Sequence, residues 1–170
     1  MNWIIRRMTA GDIQAVQKLE QQIPEAPHWT LSDYERCIGM NSSESLQRAG
    51  FIAETEGQLL GFSVGKLVTE IGELESIAVA SEARGQGIGQ ALLQAVADWA
   101  QTTGAVRIEL EVRASNVRAI KFYERSGFYR ESLRPAYYQA PEEDAVLMGK
   151  PLKPVENFPE KRIASRPPEC

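Results

Sequence analysis

Apolar and polar positions alternate or recur at helical spacing along most of this chain, and the changes of period mark its elements. Residues 2–8 predict a short strand. Thr9 then predicts a helix start, with Asp12 three residues on as a short-armed capping box, and Ile13, Val16, Leu19 and Ile23 roughly follow one helix face. Thr30 and Asp33 repeat the arrangement ahead of a second helix that carries Tyr34, Cys37 and Ile38, and the polar run from Asn41 to Arg48 predicts a loop. Three strand-like segments follow, over residues 50–55, 58–69 and 73–80, with turns expected at Glu56-Gly57 and Ile71-Gly72. Connections this short favour antiparallel pairing. Ile88, Ala91, Leu92, Ala95, Val96 and Trp99 mark the apolar face of a longer helix that Gly104 would stop. Residues 105–112 alternate as a strand, Asn116 to Ser126 predict a short helix ending at Gly127, and residues 128–138 and 144–149 predict a closing hairpin.

The expected order is strand, two helices, three strands, helix, strand, helix, two strands. That is an α/β sandwich with a mixed, mostly antiparallel sheet flanked by helices, and not a doubly wound parallel sheet. A chain of 170 residues suits one such domain, here over residues 1–150. The last 20 residues hold five of the nine prolines and almost no aromatic side chains, which predicts a flexible or loosely docked tail over 151–170.

Composition narrows the function by exclusion. A net charge of −4 argues against nucleic acid as a direct partner, since neutralising phosphates takes a basic face. A basic peptide or an amine would suit that charge, as would plain solubility. Cys37 and Cys170 are too few and too far apart for a disulfide framework or a zinc site, and with His28 as the one histidine a metal site is not expected. His28 lies in the Pro/Trp-rich stretch from Pro24 to Trp29, which predicts a loop and a poor home for a Ser-His-Asp or Cys-His mechanism. The N-terminus lacks the apolar core of a signal peptide, and no run spans a membrane, so a cytoplasmic protein is expected.

The run Arg84-Gly85-Gln86-Gly87-Ile88-Gly89 changes the picture most. It joins the apolar segment Ile77-Ala78-Val79 to the start of the longest predicted helix. Alternate glycines let the backbone pass close to a ligand, and a helix start offers unpaired N–H groups, so the run predicts a phosphate or pyrophosphate site. A dinucleotide fingerprint counted from Gly85 would need glycine where Gln90 stands, and a nucleoside-triphosphate loop would need Gly-Lys-Ser or Gly-Lys-Thr before the helix. Neither fits.

The run does fit Arg/Gln-x-x-Gly-x-Gly/Ala, and with the element order around it the chain resembles the GNAT (Gcn5-related) N-acetyltransferases over about residues 2–150. The resemblance implies that the N–H groups from Arg84 to Gln90 hold the pyrophosphate of acetyl-CoA. It also implies that Ile77, Ala78 and Val79 bind the pantetheine arm and thioester through their backbone. Leu110-Glu111-Val112-Arg113-Ala114-Ser115-Asn116, the segment from Ala119 to Phe128, Tyr137-Tyr138 and Glu143-Asp144-Ala145 resemble the RimI branch of that family. RimI enzymes acetylate the N-terminal alanine of ribosomal small-subunit protein 18. The segment His28-Trp29-Thr30 resembles the RimI Pro-Trp-Ser segment at the substrate entrance, with histidine in place of proline.

Acetyl transfer needs a neutral amine, a polarised thioester carbonyl and a proton for the departing thiolate. Glu109 and Glu111 share a strand face by period two, so position alone does not choose a base between them. The resemblance implies Glu111. Tyr123 reads on spacing alone as a core aromatic beside Ala119 and Ile120; the resemblance implies a general acid that also hydrogen-bonds the CoA sulfur. Asn116 reads as the cap of its helix, and the resemblance adds a hydrogen bond to the pantetheine arm. For Trp29, Tyr137 and Tyr138 the resemblance implies contacts to the first residues of a substrate peptide. The expected protein is therefore an acetyl-CoA-dependent N-terminal acetyltransferase, expected as a monomer, whose partner is a protein N-terminus of ribosomal origin. A lysine or small-amine acetyltransferase of the same fold and a non-catalytic acyl-CoA-binding module stand as the alternatives.

Overall fold

The computed structural model describes residues 2–24, 29–38 and 46–152. Seven strands form one sheet: β1 (Ile4–Arg7), β2 (Leu46–Thr55), β3 (Gln58–Val68), β4 (Ile71–Val79), β5 (Arg107–Arg113), β6 (Tyr129–Gln139) and β7 (Glu142–Pro151), in the order β1-β2-β3-β4-β5-β7-β6. Every neighbouring pair is antiparallel except β4 with β5, so the expected mixed, mostly antiparallel sheet is the one found. Among the described residues four helices cover it: α1 (Ile13–Glu20), α2 (Leu31–Cys37), α3 (Ile88–Thr102) and α4 (Val117–Arg125). Among the described residues no helix is long and apolar enough to cross a membrane.

The alternation along β3 sorts the helices into two layers. Gly61, Ser63 and Gly65 face α3, and the Ser63 hydroxyl donates to the Leu92 carbonyl at 3.1 Å. A Cβ on Gly65 would lie 2.6 Å from Val96 Cγ1 and 2.9 Å from Trp99 Cζ3, so small residues here let α3 lie flat on the sheet. Leu60, Phe62 and Val64 point the other way, where the Tyr34 ring of α2 meets Phe62 edge-on at 6.1 Å. Both predicted capping boxes form. Thr30 and Asp33 exchange side-chain and backbone hydrogen bonds at the start of α2, and the Thr9 N–H donates to Asp12 at 2.8 Å. One 3₁₀ turn, Ala10–Asp12, separates Thr9 from α1, which ends before Ile23.

Three boundaries differ from the sequence expectation. Leu46, Gln47 and Arg48 belong to β2, not to a loop: they pair with β3, and Arg48 meets the carboxylate of Glu75 at 2.8 Å. The charge of Arg48 serves this ion pair across the sheet. The turn after β3 falls at Thr69-Glu70, where Thr69 takes φ +54°, and Gly72 lies within β4. Gly72 is there for α3, since a Cβ would meet that of Ala100 at 2.9 Å. At the C-terminal end, Pro151 still pairs with Arg107 as the last residue of β7, and the Leu152 N–H donates to the Val106 carbonyl at 2.9 Å, so the chain stays docked through Leu152. The rest of the expected tail, His28, and the loop expectation for residues 41–45 lie outside the described residues.

Candidate active site

The sheet opens where its one parallel pair ends. β4 and β5 are in register only from Ile71 with Arg107 to Glu73 with Glu109. Beyond that point β4 carries a bulge, since Val64 and Gly65 of β3 face Ser76 and Leu74 and leave Glu75 as the extra residue. β4 then continues with β3 as far as Val79, while β5 continues with β7. A gap therefore separates Ile77–Val79 from Leu110–Arg113. The Ala80 N–H donates to the Leu60 carbonyl at 2.8 Å, which fixes the alternation: Ala78 and Ala80 turn their peptide groups to β3, and Ile77 and Val79 turn theirs into the gap. The Val79 carbonyl accepts from Arg84 Nε at 3.2 Å.

The glycine run forms the mouth of this gap. Gly85 and Gly87 have φ of +79° and +81°, and a Cβ on either would touch nothing within 4 Å. Glycine is required there by backbone torsion and not by crowding within the protein. Gly89 has negative φ and ordinary space toward Val79 and Phe122, both at 3.7 Å. The first bond into α3 runs from the Ala91 N–H to the Gly87 carbonyl. The N–H groups of Ile88, Gly89 and Gln90 have no acceptor among the described residues, and they stand at the positive end of a 15-residue helix. The Gln90 Oε1 accepts from the Ser126 hydroxyl at 2.8 Å and braces α3 against the end of α4.

α4 lies beside that helix start. Asn116 caps it, with Oδ1 accepting from the Ala119 N–H at 3.1 Å. This leaves the Nδ2 donors without a partner among the described residues, so capping and ligand binding are compatible in one side chain. Tyr123 is only 7% exposed, with ring centroids 5.2 Å from Phe122 and 5.9 Å from Phe128. Its hydroxyl has no hydrogen-bond partner among the described residues. Burial holds its pKa well above the ordinary phenol value, and nearby Tyr138 adds to this.

The other side of the gap is acidic and aromatic. Ile108 is in register with Gly72 and shares its α3-facing side, so Glu109 and Glu111 look toward the α1 and α2 side. Glu109 sits where β4 and β5 are still paired, 2.9 Å from Arg107. Glu111 sits past the last pair, beside the opening. Its side chain is 18% exposed, and Oε1 meets Arg134 Nη1 at 2.5 Å.

Strand β6 supplies the remaining groups through an unusual register. Arg134 pairs with Ala145 and Tyr138 with Glu143, so Pro135, Ala136 and Tyr137 stand opposite Asp144 alone. Tyr137 is pushed up to about 12, first by hydrogen bonding to the Glu111 carboxylate and then by burial. Tyr138 is raised by burial and next by Glu111; its ring lies 4.1 Å from the Arg113 guanidinium and 5.1 Å, edge-on, from Tyr137. Tyr138 also raises the pKa of Tyr123 on the other side of the gap.

Trp29 is not part of this cluster. Its backbone N–H donates to Glu20 at 2.9 Å and its ring lies 5.5 Å from Tyr34, and no hydrogen bond or ring contact among the described residues joins it to Tyr137 or Tyr138. Sequence reasoning missed Arg134 and gave no role to Arg113, Glu143 or Asp144. The last three stand in motifs it had singled out. The available signal for Arg134 was a cation three residues before a tyrosine pair on a strand.

Residues 13–128 match the model of the acetyltransferase (GNAT) family. An uncharacterised N-acetyltransferase of Methanocaldococcus jannaschii is 34% identical over 154 residues, covering 86% of this chain and 90% of that protein. The [ribosomal protein bS18]-alanine N-acetyltransferase of Escherichia coli K12 is 31% identical over 150 residues, covering 87% and 97%. A crystal structure of the ribosomal-protein-S18-alanine N-acetyltransferase from Escherichia coli superposes with a TM-score of 0.75 at 30% identity, covering 93% of this chain and 99% of that one. Naa20 of Chaetomium thermophilum, solved with a bisubstrate analogue, gives 0.76 at 25% identity and covers 93% of each chain.

Proposed function

The chain belongs to the acetyltransferase (GNAT) family and is an N-acetyltransferase, and we propose that it transfers acetyl from acetyl-CoA to a protein N-terminus, with the N-terminal alanine of ribosomal small-subunit protein 18 as the acceptor. The observation that carries this reading is the pair of groups on opposite sides of one gap, the buried Tyr123 beside the glycine run and Glu111, ion-paired to the Arg134 that lies over the Tyr137 ring. Unpaired N–H groups at the start of α3 suit a pyrophosphate, and the outward peptide groups of Ile77 and Val79 suit an amide-bearing arm. Acetyl-CoA, when bound there, supplies an activated acyl carbonyl and a thiolate leaving group.

The roles of the side chains follow from their surroundings. Glu111 takes a proton from the acceptor ammonium, directly or through water, and leaves a neutral amine to attack. Arg134 holds that carboxylate by an ion pair, and the same carboxylate raises the pKa of Tyr137. Tyr123 carries its proton at every working pH. Full transfer to an alkyl thiolate, whose pKa is about 8.5, would be uphill by about 2 kcal/mol even from an ordinary phenol at about 10. Burial makes it steeper, so the hydroxyl acts first as a hydrogen-bond donor to the charge developing on sulfur. Of the two protons the ammonium loses on becoming an amide, one leaves through Glu111 to solvent. The other ends on sulfur, delivered through the Tyr123 hydroxyl, which recovers its own.

An α-amine suits a single carboxylate base better than a lysine does. Reference pKa values of about 7.7–8.0 and 10.4 make deprotonating lysine at neutral pH about 3 kcal/mol more costly. The test is mass spectrometry of N-terminal acetylation with purified protein, acetyl-CoA and a panel of peptides that includes the ribosomal N-terminus. Acetylation of the α-amine of alanine-initiated peptides is expected. Faster modification of lysine side chains or small amines would overturn the acceptor assignment, and saturable acetyl-CoA binding with no CoA release on any amine would overturn catalysis.

A further inference from the structure

We infer that Asp144 is a positioning residue for the acceptor: its carboxylate holds open the three-residue bulge that brings Tyr137 to Glu111. The inference rests on reading the Glu111 side of the gap as the acceptor site. In an unbroken strand Arg134 and Tyr137, three apart, would point to opposite faces, and they could not both reach one carboxylate. Here the Arg134 guanidinium that meets Glu111 also lies 5.8 Å from the Tyr137 ring, because Pro135, Ala136 and Tyr137 stand against Asp144 alone and shift the phase of the strand between Arg134 and Tyr137.

This shift has to be held. Ala136 takes φ +48°, a conformation unfavourable for a side chain with a Cβ. In a regular ladder its N–H would meet a β7 carbonyl. The Asp144 carbonyl is instead taken by the Ala114 N–H at 3.0 Å, and the Asp144 carboxylate supplies the acceptor for Ala136, with N to Oδ1 at 2.9 Å. Gln139 Nε2 closes the bulge from the far side by donating to the Ala136 carbonyl at 2.9 Å. The neighbouring carboxylate serves the opposite half of the site. Glu143 Oε1 accepts from the Ser115 N–H at 2.6 Å and Oε2 from Arg113 at 3.2 Å, which braces the loop that starts α4 and holds the Glu143 pKa below its ordinary value. Two adjacent residues of β7 thus fix the segments that carry Tyr137 and Tyr123.

The experiment compares Asp144→Ala with Asp144→Asn, whose side-chain oxygen can still accept, in hydrogen exchange and in steady-state kinetics. In Asp144→Ala the Ala136 amide should exchange about tenfold faster, and the KM for the peptide acceptor should rise about fivefold to tenfold with the KM for acetyl-CoA unchanged. Asp144→Asn should retain most of both properties. In a Tyr137→Phe background Asp144→Ala should add less than about twofold, because the two act through one contact. Unchanged exchange at Ala136, an unchanged acceptor KM, equal increases in both KM values, an equally impaired Asp144→Asn, or additive effects would each overturn the inference. If the wild-type protein turned over no peptide, the acceptor reading would fall, and exchange at Ala136 would still decide whether Asp144 holds the bulge.

Discussion

Removing one oxygen from Tyr123 separates its service to folding from its service to catalysis. In Tyr123→Phe the ring keeps its contacts to Phe122 and Phe128, 5.2 and 5.9 Å away. The hydroxyl has no partner among the described residues, so no protein hydrogen bond is lost and stability should stay within about 0.5 kcal/mol of wild type. In the proposed reaction the same oxygen would face a developing thiolate. A hydrogen bond to a charged group is worth about 1.5–3 kcal/mol, which corresponds to a fall in kcat of about 10- to 150-fold. Because that charge exists only as the thioester breaks, the KM for acetyl-CoA should not change. The assay is CoA release at saturating peptide, followed with a thiol-reactive chromophore, beside a urea melt of both proteins. A kcat within about twofold of wild type, or a large loss of stability with kcat intact, would refute the reasoning and return Tyr123 to the core.

Glu111→Gln keeps the shape of the side chain but cannot accept the ammonium proton; kcat should fall about 100-fold or more while calorimetry shows acetyl-CoA affinity intact. Gly65→Ala would drive a methyl to 2.6 Å from Val96 Cγ1 and 2.9 Å from Trp99, and should lower the urea midpoint by the equivalent of about 1–3 kcal/mol. Asp12 is pulled down to about 2, first by its hydrogen bond to Arg6 and against the effect of burial. A lowered carboxylate stabilises the fold fully above its unfolded pKa, and that contribution is lost as pH falls through the folded value. Wild type should therefore lose about 2 kcal/mol between roughly pH 4 and pH 2 that Asp12→Asn never had, as measured by urea melts across that range.

Several elements were legible in the sequence because their signals are local. The Thr30 and Asp33 capping box lies within one turn, and the apolar face of α3 repeats within its own 15 residues. Gly85 and Gly87 announce themselves by the torsion they alone tolerate. Gly72 was misread as a turn because a glycine placed for a helix packing from 28 residues away looks, in one dimension, like a glycine placed for φ. Arg48 was misread as loop for the same reason, since its partner Glu75 is 27 residues on.

The chain by itself thus determined the element order, the phosphate-suited start of α3 and the residue types available for catalysis. The resemblance pointed to Glu111, and tertiary structure supplies a physical difference between it and its neighbour. Both glutamates lie on one face of β5, but the parallel pairing ends between them, leaving Glu109 in closed sheet and Glu111 at the opening. It alone brought Arg134 to Glu111 and beside the Tyr137 ring, next to a bulge in β6 where Ala136 bonds to a residue of β7. Periodicity fixes which way a side chain faces along its own strand. Where two strands part, or lose step with each other, depends on partners far away in the chain, and the active site is assembled at those places.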